Sequence, residues 1–315
     1  MAGIRNPLTM SAETVSKYLD MRELIDVVER SLGDLSDKES SGIEQPVRTF
    51  VPVKKYQSLL GVMPGYSAKD DALATKLVSV CPQNAGTDIP THLATILLFE
   101  PSNGCLKAIM DGEVITTMRT AAASAAATKY LARDDSKILA IIGAGHQARS
   151  HIQALSLLYD FTEVRIWSRT KATATALAHE FGARVCESAE EAVKDADIIC
   201  TVTFSATPVL QGEWVKAGAH VNAVGACIAS SRELSESLTR DAIVYVDSRE
   251  GALKESGDII INKAEIYAEV GEVILGRKEA FKHKTTVFIS LGVAIEDVVS
   301  AKLVYDKYVA SQGMQ

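Results

Sequence analysis

The sequence predicts an α/β fold, and three observations carry that reading. From Lys137 onward, short apolar strands alternate with helical segments. The first of these strands runs directly into a glycine-rich turn. Ahead of it lies a series of Val-, Ile-, Leu- and Thr-rich runs separated by Gly, Pro, Asn and Asp. The alternation implies a parallel sheet covered by helices on both faces. The earlier series implies an antiparallel sheet in a domain of its own. At 315 residues the chain has room for two domains of ordinary size.

Ser11 can cap a first helix over Ala12–Leu19, and a second over Met21–Leu35 presents Leu24, Ile25, Val28 and Leu32 on one face. Ser36–Gln45 reads as a polar loop. The antiparallel strands are expected at Val47–Val53, Leu59–Pro64, Ala72–Cys81, Leu93–Glu100 and Leu106–Asp111. Thr120–Leu131 is alanine-rich without Gly or Pro and should be a helix, packed closely against the following domain. The parallel strands are expected at Lys137–Ile142, Glu163–Trp167, Ile198–Thr203, His220–Ala223 and Ala242–Val246, with Thr285–Ile289 as the last. Helices fall between them at Gln147–Leu158, Lys171–Phe181 and Ala189–Lys194. The tail, Ile295–Val309, reads as an amphipathic helix with Val298, Val299, Leu303 and Val304 near one side, returning to the first domain.

Composition narrows the function classes. A hydrophobic fraction of 47% and a charged fraction of 23% are those of a globular protein with a full core. A net charge of -7 argues against broad nucleic-acid or anionic-membrane binding. Met1–Met10 lacks a signal-peptide pattern, and no stretch approaches the roughly 20 apolar residues of a membrane span. The cysteines, Cys81, Cys105, Cys186, Cys200 and Cys227, form no Cys-x-x-Cys pair; reduced thiols in the cytoplasm, with neither disulfides nor zinc, are the expectation.

The strongest motif is Ile138-Leu139-Ala140-Ile141-Ile142-Gly143-Ala144-Gly145-His146-Gln147-Ala148. An apolar strand enters Gly-x-Gly-x-x-Ala and a helix follows. Gly143 permits the tight turn, Gly145 lets backbone approach a pyrophosphate, and Ala148 allows close helix–strand contact. The helix N-terminus offers free N–H groups to phosphate. This is the signature of a Rossmann-type dinucleotide site. After the second strand an NAD site expects Asp or Glu for the adenosine ribose. Here Trp167-Ser168-Arg169-Thr170-Lys171 contains no carboxylate. Arg169 can pair with a 2′-phosphate, Ser168 and Thr170 can donate to it, and Lys171 adds charge, which predicts NADPH (NADP) as cofactor. In the first domain Arg48, Lys76, His92 and Arg119 lie in or beside apolar segments. Singly each reads as an outward-facing charge; together they can line a pocket for a carboxylate.

Further blocks occur at characteristic spacings: Gln45-Pro46-Val47-Arg48-Thr49, Leu60-Gly61-Val62-Met63-Pro64, Leu97-Leu98-Phe99-Glu100-Pro101-Ser102-Asn103-Gly104, Arg119-Thr120-Ala121-Ala122, Gly212-Glu213-Trp214-Val215, Asn222-Ala223-Val224-Gly225-Ala226, Leu253-Lys254-Glu255-Ser256-Gly257-Asp258 and Ser290-Leu291-Gly292. With the glycine turn, these resemble the ornithine cyclodeaminase/μ-crystallin family over nearly the whole chain. The resemblance implies a Rossmann-type parallel sheet domain, residues 120–292. It implies an α+β substrate-binding and dimerisation domain built from both chain ends, residues 1–119 with 293–315, and a homodimer. Carried over, Arg48, Lys76 and Arg119 would surround a substrate carboxylate. Thr91, His92, Arg119, Gly143, Ala144, Gly145, Gln147, Ser168, Arg169, Thr170, Thr203, Phe204, Val224 and Ser290 would line the cofactor. Glu255 and Cys227 would lie at the substrate.

The implied activity is NADPH-dependent reduction of a carbon–nitrogen double bond next to a carboxylate, as in piperideine-2-carboxylate. Lys76 would be the acid or proton relay and Glu255 would steady the iminium. Cyclodeaminases and related alanine dehydrogenases of the family place a basic Asp shortly after the segment matching Val224-Gly225-Ala226. This chain has Cys227 and Ile228 there, which argues against ornithine cyclisation. Cys227 and Ala229 also stand where μ-crystallins usually have Ser and Pro, and Ser168 replaces the usual Asn. The resemblance leaves two alternatives: NADPH-dependent binding of thyroid hormone, whose carboxylate would use Arg48, and opine-type or amino-acid dehydrogenation by reductive amination.

Overall fold

The computed structural model of the protein describes residues 6–313. The chain divides into two compact units. One holds the residues up to Arg119 together with those from Val293 on; the other is Thr120–Gly292.

The first unit is a seven-stranded sheet with helices on one face. It begins with β1 (Leu8–Met10), α1 (Ala12–Tyr18), α2 (Met21–Leu35), α3 (Lys38–Ser41), β2 (Ile43–Glu44) and β3 (Thr49–Val53). β4 (Ser58–Ser67), β5 (Ala72–Val80), β6 (His92–Phe99) and β7 (Leu106–Asp111) form its middle. The order is β1-β7-β6-β5-β4-β2, with β3 also on β4. The four long strands pair antiparallel as expected, but β1 lies parallel to β7, so the sheet is mixed. Period-two alternation turns Ala72 and Ala74, Ile96 and Leu98, and Ala108 and Met110 to the buried face. Asp20 caps α2 by accepting from Arg22 N and Glu23 N, and Leu24, Ile25, Val28 and Leu32 of α2 are buried. The segment expected to be a loop, Ser36–Gln45, contains α3 and β2.

The C-terminal helix departs from its expected amphipathic form. Numbered α12 (Ala294–Ser311), it packs on α2, β4 and β5, and every residue from Ala294 to Ala301 is buried. Leu303 is half-buried and Val304 buried. The all-round burial brings Glu296 and Asp297 inside with the apolar residues.

Between the two runs of the first unit lies α4 (Gly112–Leu131), which starts a full two turns before the expected Thr120. Asp111 Oδ1 accepts from Val114 N and starts it. Gly112 is required there, because a Cβ would lie 2.8 Å from the Ala94 carbonyl carbon. The alanines of its second half, Ala121 to Ala127, are all fully buried.

The second unit contains β8 (Ile138–Ile142), α5 (His146–Ser156), β9 (Glu163–Trp167), α6 (Lys171–Phe181), β10 (Arg184–Val185), α7 (Ala189–Val193), β11 (Ile198–Thr201) and β12 (His220–Ala223). It continues with α8 (Glu236–Asp241), β13 (Ile243–Val246), α9 (Arg249–Glu255), α10 (Gly257–Ile260), β14 (Ile266–Glu269), α11 (Val270–Ile274) and β15 (Thr286–Ile289). All eight strands are parallel, in the order β10-β9-β8-β11-β12-β15-β13-β14. Two edge strands, β10 and β14, are absent from the sequence expectation, and β15, the last strand in the chain as expected, lies between β12 and β13. Short edge strands carry little periodic signal.

Buried polar groups lock this unit. Ser124 Oγ lies 2.9 Å from His151 Nε2, and Asn222 Nδ2 donates to Thr128 Oγ1 at 3.0 Å. His220 Nδ1 lies 2.9 Å from Thr286 Oγ1. Burial pushes both His151 and His220 down to about 4. The native state therefore keeps them neutral, whereas the unfolded chain protonates them near 6.5. Their contribution is intact above pH 6.5 and fades as the pH falls toward 4. At pH 5 each should cost about 2 kcal/mol. Urea unfolding from pH 7.5 to 5 should show this loss, and His151→Gln should reduce its slope; an equal slope in the variant would contradict the assignment.

Candidate functional site

In the first unit, the candidate site begins with one residue out of pattern. β5 turns Ala72, Ala74 and Lys76 to the same covered face, and Lys76 is 2% exposed. A buried ammonium needs a counter-charge. The first turn of α12 supplies it: Lys76 Nζ lies 2.7 Å from Asp297 Oδ2. The other oxygen of the same carboxylate, Oδ1, accepts from Arg119 Nε at 3.1 Å. Arg119 Nη1 donates to Glu296 Oε2 at 2.8 Å. α12 reaches this close because β4 has Gly65 beneath it, where a Cβ would stand 3.1 Å from Val298 Cγ2. Gln45 Oε1 accepts from Ile295 N at 2.6 Å and fixes the start of the helix.

Arg48, half-buried just ahead of β3, is close enough to act on Lys76 through its charge. Arg48, Lys76 and Arg119 are thus grouped with the carboxylates of Glu296 and Asp297. Lys76 is pushed down to about 8, first by burial and then by Arg119; Asp297 pulls the other way, and Arg48 adds a smaller downward push. Burial also works against the charge of Arg119, but Asp297 and Glu296 outweigh it and hold the guanidinium ionised. His92 does not join this cluster. Lys76 pairs across the ladder with Ile96, and His92 pairs with Val80, four residues or about 13 Å along the sheet. Its Nδ1 lies 3.0 Å from Thr91 Oγ1.

In the second unit, a separate candidate site lies at the carboxyl ends of the parallel strands. Strand order reverses between β8 and β11, where such sheets open a crevice. Gly143 has φ +123°, and a Cβ there would meet Val202 O at 2.8 Å. Gly145 is the N-cap of α5; no side chain caps the helix, its first turn holds no acid, and nothing lies within 4 Å of the position of a Cβ on Gly145. Ala148 is fully buried. An open glycine before uncapped amides fits a pyrophosphate. The Ser290 hydroxyl beyond β15 is buried without a hydrogen-bond partner, which fits a polar ligand in the same unit.

Beyond β9 lies a cleft of about 300 Å³ lined by Trp167, Ser168, Arg169, Lys171, Cys186 and Glu187 among others. Thr170 is the N-cap of α6 beside it. Reading along the chain found no carboxylate here, but the structure brings one from beyond β10. Lys171 Nζ is 2.5 Å from Glu187 Oε1.

Glu233 ties the loops after β11 and β12. Its Oε1 accepts from Thr203 N and Oγ1, each at 2.6 Å; its Oε2 accepts from Thr201 Oγ1 at 2.8 Å and Gly225 N at 2.7 Å. Burial raises its pKa, against the pull of these donors. The loops are so close that a Cβ on Gly225 would lie 1.5 Å from Thr203 O. Val224 is buried and Phe204 is 57% exposed. Asp258 Oδ1 in turn accepts from Glu233 N and Leu234 N. That contact fixes the segment carrying Glu255, which is 8% exposed at the end of α9. Cys227 is half-buried against the core.

The sequence model of the ornithine cyclodeaminase/mu-crystallin family matches residues 5–312. This chain belongs to that family. Mouse (Mus musculus) ketimine reductase mu-crystallin is 52% identical over 96% of the chain and 98% of its own. The structure of Thermococcus litoralis Delta(1)-pyrroline-2-carboxylate reductase in complex with NADH and L-proline superposes with a TM-score of 0.91 at 38% identity, covering 98% of each chain. An archaeal alanine dehydrogenase dimer with bound NAD gives 0.89 at 30% identity, covering 97% of each.

Within this family member, reasoning from sequence missed Glu296, Asp297, Glu233 and Glu187. Glu296 and Asp297 carried a signal: two acids enclosed by Ala294-Ile295 and Val298-Val299. Glu233 and Glu187 carried none, because their partners are distant along the chain.

The depressed Lys76 value has a measurable consequence. Between pH 8 and 10.5 the native state has released a proton that the unfolded chain retains, so native stability gains as pH rises through that window. Urea unfolding should show wild type gaining stability on Lys76→Met across this range. A difference independent of pH would contradict the assigned burial.

Proposed function

We propose that the protein is an oxidoreductase that reduces the carbon–nitrogen double bond of a cyclic imine bearing a carboxylate, with NADPH as hydride source. The observation that carries this reading is the buried Lys76–Asp297–Arg119–Glu296 cluster with Arg48 beside it. The cluster offers cationic donors to a carboxylate, and Arg48 can engage it through two parallel N–H groups. Lys76, titrating near 8, is largely protonated at neutral pH and can still give up its proton. A dinucleotide held at the glycine turn would supply hydride for the imine carbon, while Lys76 would give the nitrogen its proton, so that the carbon–nitrogen π bond is replaced by a C–H and an N–H bond. Glu255 is assigned to the iminium charge. The names of the similar proteins, a ketimine reductase and a pyrroline-2-carboxylate reductase, support the substrate class. Gly143, Ala144, Gly145 and Gln147 would hold the pyrophosphate, and Ser168, Arg169 and Thr170 the 2′-phosphate.

The protein is further assigned as a homodimer through its first unit. β3 is exposed along its whole length, with Phe50, Val51 and Val53 at 39%, 51% and 40%, and Leu93 on β6 at 44%. Such a strip on a soluble protein marks a partner surface. Light scattering should give twice the chain mass, and Val51→Asp should give a monomer; a monomeric wild type would end this assignment.

The catalytic reading is tested by NADPH oxidation with piperideine-2-carboxylate and with the same ring lacking its carboxylate. The acid should turn over at least about a hundredfold faster in kcat/KM. That rate should fall as pH rises through about 8, and Lys76→Met should lower kcat about a hundredfold and remove this limb. Equal turnover of both rings would defeat the proposal.

A further inference from the structure

We infer that Glu187 sets the preference between phosphorylated and unphosphorylated coenzyme. The inference rests on the reading that the cleft after β9 receives the adenosine end of the dinucleotide. Ser168, Arg169, Lys171 and Glu187 all line that cleft. Its place is built rather than incidental. Ser188 caps α7 by accepting from Glu191 N at 3.0 Å, and Glu191 Oε2 reaches back to accept from Glu187 N at 2.8 Å. The neighbouring Cys186 is buried. The backbone of Glu187 is thus held between an anchored cysteine and a helix cap, while its carboxylate takes Lys171.

Both members of that ion pair are well exposed, at 66% and 75%. Such pairs contribute little and exchange readily. A 2′-phosphate entering the cleft would compete with Glu187 for Lys171 and would meet a like charge among the lining residues. An unphosphorylated ribose would meet a carboxylate able to accept from its hydroxyls, the role an acid at the end of the second strand has in NAD sites. Glu187 therefore moderates the attraction that Arg169 and Lys171 exert on the phosphate and leaves the unphosphorylated coenzyme a partner.

The test is equilibrium binding to the full chain, followed by tryptophan fluorescence or calorimetry. The probes are adenosine 2′,5′-bisphosphate against AMP, and NADPH against NADH. Glu187→Gln should tighten the 2′-phosphorylated member of each pair about three- to tenfold relative to the other, with the change shrinking at high salt. An unchanged ratio, while Arg169→Ala still weakens the bisphosphate, would overturn the role of Glu187 alone. A bisphosphate affinity indifferent to Arg169→Ala would instead overturn the placement of the 2′-phosphate, and the inference with it.

Discussion

The first unit is organised around a single carboxylate. Asp297 holds Lys76 with one oxygen and Arg119 with the other, and all three are nearly inaccessible. Removing one member of such a set strands the others without water, at a cost of about 3–5 kcal/mol. The arrangement therefore constrains several elements together. β5 must present Lys76 inward, α12 must start at a fixed height over Gly65, and α4 must begin early enough for Arg119 to lie on it. Glu296 completes the guanidinium's partners. Burial and Arg119 bring the Lys76 ammonium down to about 8, and Arg48 lies close enough to add to that push. This is the cluster proposed to receive an anion and supply a proton.

The parallel unit uses buried carboxylates in another way. Glu233 gathers donors from the ends of β11 and β12. Asp247 accepts from Leu291 N, Gly292 N and Ser248 N beyond β15 and β13. Each draws loop backbone inward at the edge where such sheets bind ligands. The loops carrying Thr203, Val224 and Ser290 are tied by hydrogen bonds to these carboxylates as well as by burial. Preorganised loops do not have to be ordered when a dinucleotide arrives.

Local signals made most of this legible. The β8–α5 turn could be read because strand, glycines and helix adjoin in sequence, and each glycine has its own steric reason. The apolar stripe of α2 and the alternation in β4 to β7 depend on neighbours two to four residues away. The reading failed where the deciding contact is remote. The spacing of Val298, Val299, Leu303 and Val304 reads as amphipathic, whereas Lys76 and Arg119 lie more than 170 residues earlier and hold Glu296 and Asp297 inside. Lys76 itself reads as an outward charge, since nothing nearby in sequence neutralises it. Glu187 has no local signal either: it follows Lys171 by a helix and a strand, and only folding brings the two together. Repeated family blocks, by contrast, made Arg48 and Arg119 recognisable without any geometry.

The most direct test is a crystal structure of the protein with NADPH and pyrrole-2-carboxylate, a planar aromatic anion that cannot be reduced in the site. The account predicts the carboxylate about 3 Å from the Arg48 guanidinium and Lys76 Nζ, with Asp297 still bridging Lys76 and Arg119. An anion bound away from both Arg48 and Lys76 would contradict it.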